Sequence, residues 1–113
     1  MAPAYRNALV KPYPAAHDDC FDTLLWMRDN AGDLGIDSGQ FMVAGHSAGG
    51  GLTAAITLRA RDTKDVNIAF QMPFYPMLDD RQPTDPARHM DVAGWDTAAN
   101  AFGWGSYLGA AQK

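Results

Sequence analysis

Apolar and polar positions in this chain of 113 residues switch between two periods, and the switches mark the expected elements. From about Ala15, Cys20, Leu24, Met27 and Ala31 recur at helical spacing, with Phe21, Leu25 and Arg28 on the neighbouring row. Asp18 and Asp19 fall in the first turn of that helix, where carboxylates suit the positive end of the dipole. Gly32 and Gly35 are expected to end it. Phe41-Met42-Val43-Ala44 is a short apolar run between turn residues, which predicts a fully buried strand. Leu52, Ala55, Ile56 and Arg59 then trace a second helix, with Arg59 and Arg61 near its C-terminus. Val66 to Met72 reads as a second strand that Pro73 closes.

Helix, strand, helix, strand is the grammar of a parallel sheet flanked by helices, so the expected fold class is α/β in one domain spanning residues 1–113. Pro3, Pro12 and Pro14 keep the opening segment extended or turning. Pro73, Pro76, Pro83 and Pro86, among many charges, predict loop as far as about Gly94. A last helix is expected from Thr97 to Tyr107, weakened at Gly103 and Gly105 by about 1 kcal/mol each relative to Ala. Trp95, Phe102, Trp104 and Tyr107 near it read as packing residues, with a sticky helix face as the competing reading.

Composition narrows the function classes. Forty-seven per cent apolar content argues against a disordered tail. A formal charge of −4 without a basic block argues against a nucleic-acid partner. Cys20 is the single cysteine and reads as a small apolar residue, which excludes an internal disulfide. No stretch approaches the roughly 20 apolar residues of a membrane span, and the opening residues lack a leader-like apolar run, so a cytoplasmic protein is expected. No residue pattern calls for a metal or an organic cofactor.

The chemistry concentrates at Gly45-His46-Ser47-Ala48-Gly49, set between a predicted strand and a predicted helix. Gly-x-Ser-x-Gly in that context is the nucleophile elbow of serine hydrolases. Lifting a serine hydroxyl clear of a strand end requires a tight backbone turn strained by about 1–3 kcal/mol. Strand and helix then approach so closely that near-bare neighbours are needed, a role read for Gly45 and Gly49, with Gly50 and Gly51 extending the clearance. Ser47 would sit where unpaired helix N–H groups point outward, and the Ala48 N–H would donate to an oxyanion. A phosphate-cradling loop fits less well, because no Lys follows and the glycines do not fall in Gly-x-Gly-x-x-Gly order.

Beyond the pentapeptide, the chain resembles the hormone-sensitive-lipase-like carboxylesterases, the fold-3 group of α/β hydrolases. Gly45-His46-Ser47-Ala48-Gly49-Gly50 is similar to that family's Gly-Asp-Ser-Ala-Gly-Gly, with His46 in place of the usual Asp. Tyr5-Arg6-Asn7-Ala8 and Pro12-Tyr13-Pro14-Ala15-Ala16 echo its Tyr-Arg-Leu-Ala-Pro-Glu-x-Pro-Phe-Pro-Ala-Ala segment, with Asn7, Leu9 and Val10 departing from it. His17-Asp18-Asp19-Cys20 with Leu24-Leu25-Trp26, then Phe74-Tyr75-Pro76-Met77-Leu78-Asp79, then Trp104 and Tyr107-Leu108-Gly109 follow in the family's order. The resemblance implies a partial α/β-hydrolase fold and hydrolysis of small, short-acyl carboxylic esters through an acyl-serine intermediate, with Ser47 as nucleophile.

It also implies parts this sequence lacks. The family's His-Gly-Gly-Gly loop, which completes the oxyanion hole, has no counterpart here, and the acid and base that follow the serine are expected beyond Lys113. Among local histidines, His46 adjoins the serine and should point elsewhere, His17 is expected on a helix surface, and His89 lies in a proline-broken loop. Asp79 reads as a turn cap rather than a catalytic acid. The chain is therefore expected to be a fragment with little turnover of its own. The competing reading is an inactive hydrolase-like piece or binding module. Open sheet edges should leave Trp26, Phe41, Phe70 and Phe74 partly exposed and drive self-association.

Overall fold

The computed structural model describes residues 1–111. Helix α1 spans Ala15–Asp29 and short α2 spans Ala31–Leu34; strand β1 (Phe41–His46), helix α3 (Ala48–Thr63) and strand β2 (Ile68–Phe74) follow, and helix α4 covers Thr97–Leu108. Single 3₁₀ turns lie at Pro86–Arg88 and Gly109–Ala111. No helix among the described residues is long and apolar enough to cross a membrane.

β1 and β2 pair in parallel, Met42 beside Phe70, Ala44 beside Met72 and His46 beside Phe74. A parallel pair needs a long crossover, which α3 supplies. The core lies where α1, α3 and β1 meet: Phe21, Leu24, Phe41, Leu52, Ile56, Ala60 and Val66 are buried together. Arg59 fastens the two helices across that core. Its guanidinium lies 4.2 Å above the Phe21 ring, donates to Asp18 Oδ1 at 2.7 Å and reaches His17 Nδ1 at 3.3 Å. Arginine has only donors, so His17 Nδ1 accepts. His17 is consequently tucked in, its side chain 13% exposed, where a surface position was expected.

Several expectations need correction. β1 is not fully buried: Phe41 is, but Met42, Ala44 and His46 face out. Strands buried on both faces occur where both faces of a sheet are covered; here α3 packs on one face of two strands, and the other stays bare. For the same reason Phe70 and Phe74 are exposed as expected, and Trp26 is exposed on α1, whereas Phe41 is only 6% exposed because it points into the helices. Pro73 does not close β2. The Phe74 carbonyl faces the Ser47 amide, so the preceding residue turns toward the outer edge, where the N–H that Pro73 lacks has no ladder partner. Val66 lies in the core ahead of the strand, which begins only at Ile68. Gly32 sits inside α2 rather than ending a helix; Gly35, with φ +65°, does that.

Helix α4 has a start signal that the hydrophobic pattern did not carry. Asp96 accepts from the Ala99 amide at 2.7 Å, an N-cap that contributes about 1 kcal/mol. The aromatics expected to pack there divide. Trp104 meets Tyr107 edge-on, and Tyr107 meets Tyr13 of the opening segment. Trp95 leans against Gly103, while Phe102 stands exposed.

Candidate active site

Ser47 joins β1 to α3 with φ 55° and ψ −121°, a left-sided backbone that non-glycine residues rarely adopt. Three hydrogen bonds hold it. Its amide donates to the Phe74 carbonyl at 3.1 Å, and its own carbonyl accepts from Gly51 at 3.1 Å and from Met77 at 3.3 Å. The strained turn is thus fixed from both sides, by the first turn of α3 and by the segment that leaves β2. Ala48 begins α3, and first-turn amides have no partner within their own helix.

The bare neighbours are not the pair expected. A Cβ on Gly45 would lie 2.4 Å from the Gly49 carbonyl oxygen and 2.9 Å from Thr53 Oγ1, so Gly45 is sterically required. A Cβ on Gly49 would meet nothing within 4 Å, so the expected need for glycine there is corrected. The second close approach falls later. A Cβ on Gly50 would lie 2.9 Å from the Phe74 carbonyl oxygen, and one on Gly51 2.4 Å from that of Met77. Gly49 is spared because its carbonyl, not its Cα, faces the strand and accepts from Thr53 Oγ1 at 2.9 Å.

Ser47 opens on a cleft lined by Tyr75, Met77, Leu78, Asp79, Trp95 and Trp104. Among the described residues no histidine lines it. The His46 ring turns to Tyr75, with centroids 6.2 Å apart. His89 Nε2 bonds the Pro83 carbonyl at 3.2 Å within the exposed loop, and His17 is held by Arg59. Asp79 does reach the cleft, but its carboxylate is bound by the Arg81 side chain and amide, which hold it down at about 2. It caps the turn after β2, as its position suggested. Burial pushes the Cys20 thiol up to about 11, which suits packing and not nucleophilic chemistry. Among the described residues no three His, Cys, Asp or Glu side chains group as ligands for a metal ion.

A sequence profile of the alpha/beta hydrolase fold family matches residues 1–113. The chain belongs to that family.

Its relatives include esterases. The chain is 46% identical to an arylesterase of Saccharolobus solfataricus over 74 residues, covering 66% of this chain and 24% of the relative. It is 43% identical to the carboxylesterase NlhH of Mycobacterium tuberculosis over 72 residues, covering 64% of this chain and 23% of the relative. Among solved structures it superposes on a bacterial heroin esterase with a TM-score of 0.89 at 38% identity, covering 96% of this chain and 35% of that one. It superposes on the esterase LipW of Mycobacterium marinum with a TM-score of 0.87 at 37% identity, covering 96% and 34%. The chain therefore spans about a quarter of the length of these curated relatives and about a third of these solved ones.

Proposed function

We propose that the protein is a carboxylic ester hydrolase acting through an acyl-serine intermediate on Ser47. The observation that carries this reading is the Ser47 backbone, strained at φ 55° between β1 and α3 and facing a cleft. Strain of about 1–3 kcal/mol at one non-glycine residue persists only where surrounding structure enforces it, and such residues cluster at reactive sites. In the proposed reaction Ser47 Oγ bonds to the ester carbonyl carbon as its proton passes to a general base. The carbonyl becomes an oxyanion that accepts from the Ala48 N–H, one donor of the kind that contributes about 2.7–4 kcal/mol elsewhere. Collapse breaks the ester C–O bond and releases the alcohol, which takes the proton back, and water then cleaves the acyl-serine to the carboxylic acid.

The substrate is a small ester with one apolar arm. The Ser47 cleft shares Met77, Leu78, Trp95 and Trp104 with an apolar groove of about 560 Å³ that runs along α3 and α4 and reaches Ala48. The acid and base come from residues other than the histidines described above, since a base must approach within about 2.6–3.2 Å of the hydroxyl. Losing the triad partners costs on the order of 10⁶ in kcat. Residues 1–113 alone should accordingly hydrolyse p-nitrophenyl acetate at near-background rates. The decisive test grafts this chain in place of the matching third of the LipW esterase. A folded graft should hydrolyse p-nitrophenyl esters and react with a fluorophosphonate, and Ser47→Ala should abolish both. A cooperatively melting graft with neither property would remove the nucleophile and favour the inactive binding-module reading.

A further inference from the structure

The turn at Ser47 is not the only strained backbone at this site. Tyr75, one residue past β2, has φ 32°, and it lies between the two residues that grip Ser47. The Phe74 carbonyl accepts from the Ser47 amide, and the Met77 amide donates to the Ser47 carbonyl. Two non-glycine residues with positive φ are therefore tied back to back by reciprocal hydrogen bonds, one on the serine turn and one on the chain crossing it. Neither conformation is favourable by itself, and each is enforced by the other.

The crossing chain lies on α3 as closely as backbone allows. The Phe74 carbonyl and the Pro76 Cα approach Gly50, and the Met77 carbonyl approaches Gly51 so closely that a Cβ there would sit 2.4 Å from its oxygen. The Ser47 carbonyl has two lone pairs, and the two donors that fill them come from these two sources, Gly51 of the helix and Met77 of the crossing segment. Any residue with a side chain at position 51 would lift Met77 away and leave one of those lone pairs without its donor.

We infer that Phe74–Met77 is a strap that positions Ser47, and that Gly51 is the residue that lets the strap close. The strap's hydrogen bonds to the serine are main-chain bonds, so it acts on the orientation of the hydroxyl and of the Ala48 N–H, not on the reacting atoms. This deepens the proposed function, because a nucleophile misplaced by about 1 Å can lose on the order of 100-fold in rate. The strap itself stands on geometry that exists whether or not Ser47 reacts.

The test is residue-resolved amide hydrogen exchange on the full chain at low concentration, for the wild type, Gly51→Ala, Met77→Pro and Gly49→Ala. Met77→Pro deletes the donor without adding a side chain to α3, and so carries the test alone should Gly51→Ala fail to fold. Gly49→Ala adds a methyl in open space beside the same turn and serves as the control. Exchange at the Ser47 amide should speed up about tenfold in Gly51→Ala and Met77→Pro, the scale of one lost hydrogen bond, with core amides such as Ile56 unchanged. Gly49→Ala should match the wild type. Equal Ser47 exchange in all four proteins overturns the strap, and so does an acceleration shared by Ile56, which would mean general loosening. The LipW graft separates this inference from the nucleophile reading. An inert graft with the expected exchange pattern refutes only the chemistry, and an active graft with uniform exchange refutes only the strap.

Discussion

Replacing Gly45 with alanine asks the most of this structure. The new Cβ would lie 2.4 Å from the Gly49 carbonyl oxygen and 2.5 Å from the carbon behind it, about 1 Å inside ordinary contact. Both atoms are main chain in the first turn of α3, so no side chain can swing aside. The turn must move as a body, carrying Ala48 and Ser47 with it. Overpacking of this kind costs about 1–3 kcal/mol. The same Cβ presses on Thr53 Oγ1, whose residue is 3% exposed and whose hydroxyl donates to that same Gly49 carbonyl, and a weakened bond there adds about 1 kcal/mol. Reduced freedom of the unfolded chain returns about 0.4–1 kcal/mol. The net expectation is a loss of about 2 kcal/mol, or roughly 10 °C in Tm for a chain of this size.

Gly49→Ala should behave in the opposite way. Its Cβ meets nothing within 4 Å, it lies in the first turn of α3, and helix propensity favours alanine by up to about 1 kcal/mol. Urea unfolding followed by tryptophan fluorescence at low protein concentration reads both variants. A Gly45→Ala protein within about 0.5 kcal/mol of wild type would contradict the steric requirement at position 45. Equal destabilisation of the two variants would contradict it too, because the signature Gly-x-Ser-x-Gly would then be a symmetric requirement after all.

Two further expectations concern the opening segment and the bare sheet. Arg6 grips Asp19 through its guanidinium and its amide, holding that carboxyl down at about 2. A depressed carboxylate stabilises the fold above its unfolded value near 3.9, and that contribution disappears as pH falls through about 2. The stability gap between wild type and Asp19→Asn should therefore close between about pH 4 and pH 2, and a constant gap in urea midpoints would contradict the pairing. Met42, Phe70, Met72 and Phe74 share one exposed sheet face, so residues 1–113 should elute above monomer mass on size exclusion, and Phe70→Lys should shift them toward monomer. A sharp wild-type monomer peak with cooperative melting would refute this.

Elements were legible in the sequence wherever a local rule fixed them. The helical spacing from Cys20 to Ala31, the run at Phe41 and the spacing from Leu52 to Arg59 all became the elements they implied, within a few residues. The fold class followed from their order. What failed to show in the sequence depended on neighbours. The apolar run of β1 has the composition of a strand buried on both faces, but composition records what a strand can face and not what is present to cover it. Pro73 looked like a terminator because periodicity cannot say which edge of β2 is paired. His17 looked exposed until Arg59, forty-two positions away, was placed against it.

The site shows the same division at finer scale. The glycine-serine pattern located the strained residue, yet it assigned the steric burden to Gly49, which has open space, and gave only a supporting part to Gly51, which has none. The pattern describes one strand and one helix, whereas the tightest contact is with a third segment, Phe74–Met77, that the motif does not contain. This also explains how a chain spanning about a third of these solved relatives' length can carry a formed serine turn. The backbone hydrogen-bond partners of Ser47 all lie between Gly51 and Met77, in α3, at the end of β2 and in the segment just beyond it, so the turn is held locally. A base and its acid partner lie under no such local constraint, since only the tips of their side chains must reach the serine. The proposed nucleophile can therefore be fully shaped although, among the described residues, no histidine lines its cleft.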